Sequence, residues 1–227
     1  SVSGQGYDPS GSLSASAIQA PAGASAGSAA GARTLLLQAG VLCSDAEHKQ
    51  LADGSWDILG DPTEGALSVV ALKAGIDDFE LRSHYPRAAE IPFSSERQLM
   101  AVWIEDPRAE LQGPLGSSAS GSARLLISKG APEVILGLCD RWIDGSGVVA
   151  LSEGQRQWWL DQARELAGSG LRVLAFACAP HHHSPDEELE GQVLLGLMAQ
   201  LDPARPEVAA AVATCRQAGI RPVMITG

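Results

Sequence analysis

Residues 125–133 read LLISKGAPE, and this stretch decides how the rest of the chain is laid out. The apolar run 125–127 predicts a strand. Lys129 and Gly130 follow, then Pro132, a residue suited to the first turn of a helix. Such a strand–turn–helix junction is expected to hold a cation at the rim of a sheet, beside a helix N-terminus that favours negative charge. The chain has three lysines, Lys49, Lys73 and Lys129, and its other basic residues are arginines. A lysine in this place therefore stands out. Two readings are open: a functional cation, or a solvated lysine that ends a strand.

At 227 residues the chain can hold one large domain, or one domain and a piece of another. An apolar share of 45% with 19% charged residues is that of an ordinary globular protein. The net charge of -11 argues against a general nucleic-acid binder, which needs a basic face, and against adhesion to anionic lipid. Cys43, Cys139, Cys178 and Cys215 are far apart and form no C-x-x-C pair, so neither zinc nor a redox motif is indicated. Buried thiols in a reducing compartment are the simplest reading. No opening segment reads as a signal peptide, and no apolar run reaches the ~18 residues of a membrane span. With no initiating Met, and with VMITG closing the chain straight after an apolar run, the sequence reads as a segment cut from a longer protein.

Upstream of LLISKGAPE, residues 1–32 are rich in Ser, Gly and Ala and predict an extended start followed by a flexible loop. Residues 33–46 predict a helix with Leu35, Leu36, Ala39 and Leu42 on one stripe. A short strand is expected over 56–59. The run GDPTEGAL (60–67) then starts a helix: Asp61 is the cap, Pro62 fits the first turn, and Glu64 stands three residues after the cap, close to a capping box. Ala66, Leu67, Val70, Ala71 and Ala74 are its expected buried face. Glu64 is either a capping carboxylate alone or a functional acceptor. Residues 88–93 and 99–104 predict two strands of a hairpin, with Phe93 at the turn as a core plug or an exposed stacking platform. Residues 110–123 read as a mobile tip.

Downstream, Val134, Ile135 and Leu138 continue a helix, 141–150 predict a small hairpin, and Ser152 caps a helix with Trp158, Trp159, Ala163 and Leu166 facing inward. The run 171–179 is the clearest buried strand, with Arg172 at its start. His181, His182 and His183 are adjacent in an extended segment and cannot all face one ion, so a solvated turn is the preferred reading over a metal site. A strand over 194–201, a helix from 204–206 to Gln217 and a closing strand over 220–225 complete the chain.

Five separated segments, GDPTEGAL, PFSSERQLM (92–100), SKGAPE (128–133), GLRVLAFA (170–177) and LDPARPEV (201–208), together resemble the cytoplasmic nucleotide-binding domain of the P-type cation-transporting ATPases, most of all the type II calcium-pump-like branch. VSGQGYDPSG (2–11) resembles the stretch that leads into that domain, and VMITG (223–227) a strand of the phosphorylation domain. The resemblance covers nearly the whole chain. It implies an α/β (α+β) fold, a twisted, mostly antiparallel sheet flanked by helices, with residues 1–192 as the nucleotide-binding domain and 193–227 as a partial remnant of the phosphorylation domain.

It also implies a site. Glu64 would contact the adenine amino group and Phe93 would stack on the base. Lys129, followed by Gly130, would line the pocket and face the nucleotide, and Arg172 would reach towards the phosphates. Such a set has physical sense, because an adenine wants an aromatic face, an acceptor for its amino group and cations beyond it. Asp202 and Arg205 would lie at the hinge, and Thr226 and Gly227 on the phosphate side. In one respect the chain departs from the family: Gln98 stands where a lysine is usual, five residues after the phenylalanine, and Arg97 is a partial substitute. The ligand implied is ATP, with Mg only as its counterion. The partners implied are the phosphorylation and actuator domains of a parent pump, with no nucleic acid and no direct membrane contact. The setting implied is the cytoplasmic side of an integral membrane protein. The DKTGTLT and GDGxND motifs of the family are not in this sequence, so the chain is expected to bind ATP and not hydrolyse it. Two rival readings are an interaction module with lost or weak nucleotide binding, and a soluble phosphatase- or kinase-like enzyme.

Overall fold

A computed structural model describes residues 2–3, 6–13, 29–115, 124–144, 147–180, 189–201 and 206–223. Seven strands form one sheet in the order β3 (Arg87–Ser94), β4 (Leu99–Glu105), β5 (Arg124–Gly130), β8 (Arg172–Pro180), β9 (Gln192–Gln200), β6 (Cys139–Asp144) and β7 (Gly147–Ala150). Every neighbouring pair is antiparallel except β6 with β9, which run parallel. A separate ribbon pairs β1 (Glu47–Gln50) with β2 (Trp56–Leu59). With six helices among the described residues, this is the mixed, mostly antiparallel α/β fold expected.

The sheet is covered on both faces, which is why its central strands read as unbroken apolar runs and not as alternations. On one face Met100, Val102, Ile104, Leu125, Ile127 and Phe176 pack against Leu35, Ala39 and Leu42 of α1 (Ala29–Leu42) and Leu67 and Ala71 of α2 (Pro62–Lys73). The other face buries Ala101, Trp103, Leu126, Ala175 and Ala177 against Ile135 and Leu136 of α4 (Pro132–Leu138), with Trp159 and Leu160 of α5 (Glu153–Gly168) packed on them. Alternate residues of β5 thus serve opposite cores, as strand geometry requires.

Local chemistry sets the helix starts. Asp61 accepts from the backbone amides of Thr63 and Glu64 at the head of α2. Ser152 and Gln155 form a reciprocal capping box at the head of α5. Residues 95–98 make the tight turn between β3 and β4, with Gln98 at φ +54 and its amide bonded to the Ser94 carbonyl.

Several expectations are corrected. The first helix is shifted towards the N-terminus, to Ala29–Leu42. In α2 the buried residues are Gly65, Leu67, Ser68, Val69 and Ala71, while Ala74 is exposed. The polar strand β1 and the short helix α3 (Asp78–His84) have no apolar period that foretells them; α3 buries only Leu81. In the stretch expected to be mobile, Leu111, Gln112 and Leu115 are buried, because the buried carboxylate of Asp106 gathers the amides of Glu110 and Leu111 and folds the segment inward. Residues 220–223 form no strand, and Ile220 and Val223 are exposed. In α5, Ala163 is buried and Trp159 packs on the core, but Trp158 and Leu166 are only half-buried. Strand β9 begins at Gln192 and lies between β8 and β6. The histidines 181–183, and Asp202, Arg205, Thr226 and Gly227, lie outside the described residues.

Candidate functional site

Strand register brings most of the expected residues to one end of the sheet. Ser94 pairs with Leu99, Leu99 with Gly130, and Gly130 with Ala175. Phe93, the turn holding Arg97 and Gln98, and Gly130 therefore sit side by side, and Arg172 begins β8 at the same end. Phe93 is 57% exposed, so it is not a core plug. Arg97, Gln98 and Arg172 are also exposed. Arg97 donates to the Pro92 carbonyl at 3.1 Å, and the Gln98 carbonyl accepts from the Ala131 amide at 3.0 Å.

Lys129 is not at the rim. It pairs with Met100 and Phe176 inside the sheet, its side chain points to the face carrying α1 and α2, and only 6% of it is exposed. Its ammonium donates to Glu64 Oε1 at 2.5 Å and to Ser44 Oγ at 3.1 Å. Burying a cation is costly unless a charge and hydrogen bonds compensate it, and both do so here.

Glu64 does not complete a capping box. Its Oε2 accepts from the amides of Asp45 at 2.7 Å and Ala46 at 3.2 Å, while Oε1 holds Lys129. The carboxylate therefore ties the first turn of α2 to the segment after α1 and to β5. Asp61 alone supplies the cap. Partial burial opposes the charge of Asp61, but hydrogen bonds from Thr63 and Glu64, with the Arg172 guanidinium further off, leave its carboxyl below the usual value.

Residues that sequence reasoning missed complete this centre. Ser44 is fully buried and donates to the Gly40 carbonyl at 2.7 Å. The Ser44 carbonyl accepts from Arg82 at 2.6 Å and from Arg87 at 3.0 Å, and Arg82 and Arg87 also reach the carbonyls of Ala46 and Leu42. Arg87 thus answers the last carbonyl of α1, a helix with no basic residue in its own last turn, and both arginines pin the segment that follows it. Burial would lower the Arg87 pKa, but Asp45 and Glu90 hold the guanidinium charged. No local pattern announces this set, since its members come from four elements.

Among the described residues no group of His, Cys, Asp and Glu has the arrangement of a metal site. A shallow depression lined by Ile76, Asp77, Glu80, Leu81, His84 and Tyr85 lies on α3 and shares no residue with the candidate set.

The described residues therefore present an exposed aromatic, Phe93, on β3 and a largely buried carboxylate–ammonium pair, Glu64–Lys129, held between α2 and β5. The comparisons make the class specific. The family described as P-type ATPase, cytoplasmic domain N, matches residues 33–207. The chain is 39% identical over 197 residues to the cation-transporting ATPase pma1 of Synechocystis, covering 84% of this chain and 20% of that protein. It is 40% identical, over the same shares, to the probable cation-transporting ATPase F of Mycobacterium tuberculosis. Against the calcium-transporting ATPase of Bacillus subtilis it is 34% identical over 232 aligned positions, 100% of this chain and 24% of that protein. This chain belongs to the cytoplasmic N domain family of the P-type ATPases. It spans about a fifth to a quarter of the length of these relatives.

Proposed function

We propose that this domain binds ATP, with the adenine on Phe93 and its edge turned to the Glu64–Lys129 pair, in a cation pump of the type II, calcium-pump-like branch. The observation that carries the reading is the 57% exposure of Phe93, just before the turn that packs on Gly130, the residue after Lys129. A ring stacked there meets an acceptor in Glu64 and a donor in Lys129. Adenine offers the complementary edge, an amino group that donates and a ring nitrogen that accepts. Arg97 and Arg172 supply exposed cations for the phosphates, and Gly130 lets the turn carrying Gln98 approach β5. The domain presents the γ-phosphate to an aspartate of a phosphorylation domain elsewhere in the pump, on the cytoplasmic side of the membrane, and works with an actuator domain. Residues beyond Gln200, including Asp202, Arg205, Thr226 and Gly227, belong to the hinge and to the phosphorylation domain, which moves the proposed boundary past β9. The domain itself binds without hydrolysing, with Mg only as the ATP counterion.

Calorimetric titration tests this. ATP binds, with and without EDTA, at affinities within a few-fold, and turnover with Mg-ATP is absent. A strict Mg requirement overturns the binding mode, and turnover favours a soluble enzyme. A second reading, an interaction module with weak nucleotide binding, draws on Gln98 in the place of a lysine and on the sequestered ammonium of Lys129. Absence of ATP binding decides for it.

A further inference from the structure

Ser44, Asp45 and Ala46, in the segment that follows α1, together touch both members of the ion pair. The amides of Asp45 and Ala46 hold Glu64 Oε2, and the hydroxyl of Ser44 holds the Lys129 ammonium. Ser44 is built for this. Its single proton is directed at the Gly40 carbonyl, 2.7 Å away, which leaves the hydroxyl oxygen as a pure acceptor towards Lys129. Its own carbonyl is pinned by two guanidinium groups, Arg82 and Arg87, so the backbone beneath the hydroxyl is fixed. The residue is 0% exposed. A hydrophobic residue would satisfy packing there; a hydroxyl serves the ammonium.

We infer that Ser44 is a positioning residue for base recognition: it fixes where the Lys129 ammonium sits beside the Glu64 carboxylate, and so sets the donor–acceptor spacing that the base edge meets. This rests on the ATP-binding reading above. With Ser44 in place the ammonium has two anchors, one on each side, and cannot swing. Without the hydroxyl the ammonium keeps only its contact with Glu64, already at 2.5 Å, and loses the second anchor that fixes its direction. Adenine presents a donor then an acceptor along that edge, and guanine the reverse polarity. Discrimination between the two bases is therefore the property most sensitive to this anchor, whereas stacking on Phe93 and attraction of the phosphates are indifferent to it.

The test uses Ser44→Ala and Ser44→Thr in the whole chain. Titrations with ATP and GTP read affinity and selectivity, thermal melts read fold, and amide hydrogen exchange at Asp45 and Ala46 reads the centre without nucleotide. Ser44→Ala lowers ATP affinity about tenfold, the scale of one hydrogen bond to a charged group. GTP affinity is unchanged, so the ATP-to-GTP preference shrinks by the same factor, and Ser44→Thr restores it. Exchange at the two amides is faster in Ser44→Ala and returns to the wild-type rate in Ser44→Thr. An equal loss for both nucleotides that tracks a fall in melting temperature overturns the inference, as does an unchanged preference. If the wild type binds no ATP, the ATP-binding reading fails. Unchanged exchange at Asp45 and Ala46 in Ser44→Ala then refutes the anchoring role by itself.

Discussion

The carbonyl oxygen of Gln98 lies 2.3 Å from where a Cβ on Gly130 would stand, and the Cα of Leu99 is 2.9 Å from the same point. The glycine of SKGAPE is thus a requirement of strand packing: it lets the turn that follows Phe93 close onto β5. Gly130→Ala forces backbone atoms apart, and overpacking of this kind costs about 1–3 kcal/mol. Urea denaturation should show that loss, and ATP affinity should fall with it because the Phe93 ledge moves. A stability change within experimental error would show that the turn yields freely.

Phe93→Ala separates platform from core. With 57% of the residue exposed, stability should change by much less than the ~3–5 kcal/mol of a core Phe→Ala. ATP affinity should drop by about 1–3 kcal/mol, the range for base–aromatic stacking. A large fall in melting temperature with unchanged affinity is the contrary result.

Breaking the ion pair affects the fold before it affects the ligand. The side chains of Lys129 and Glu64 are 7% and 16% exposed, so truncating one leaves the other charge buried and short of partners. Lys129→Ala should cost about 3–5 kcal/mol of stability, and Glu64→Gln less, since its amide oxygen still accepts from Asp45 and Ala46. A double-mutant cycle should give a coupling above about 1 kcal/mol. Independent, additive losses would mean that the two charges do not need each other. Affinity of Lys129→Ala for ATP is best titrated well below its melting temperature, so that binding and unfolding are not confused.

Three buried thiols give the domain an alkaline limit. Desolvation pushes Cys43 up to about 11 and Cys139 up to about 12, and raises Cys178 as well, from an ordinary value of 9.0. A raised folded value means that the unfolded chain gives up its thiol protons first. The stabilisation is complete below pH 9.0 and is lost as pH rises through about 11 to 12. One unit above 9.0, each such thiol should cost about 1 kcal/mol. Urea midpoints at neutral and alkaline pH measure this, and stability that does not fall on the alkaline side contradicts it. In the native state a thiol reagent should modify Cys215, half-buried on α6 (Pro206–Gln217), well before the other three.

Much of the architecture was legible in the chain because its cause is local. Asp61 before Pro62, and Ser152 further on, announce helix starts, and both caps form as read. The apolar runs around Leu126 and Ala175 announce strands buried on both faces. What the sequence by itself determined is therefore the elements whose caps or apolar runs are strong. Where local pattern is weak, in the polar EHKQ of β1 and the DFELRSH of α3, the reading failed. Only the tertiary structure decided what Lys129 touches. Glu64 is 65 residues away from it and Ser44 85 residues away, and they meet because pairing of β5 between β4 and β8 turns the lysine to the face that α1 and α2 cover. The physical reason is that burial of an ammonium is settled by partners from distant elements, and nothing within a few residues of Lys129 can supply them.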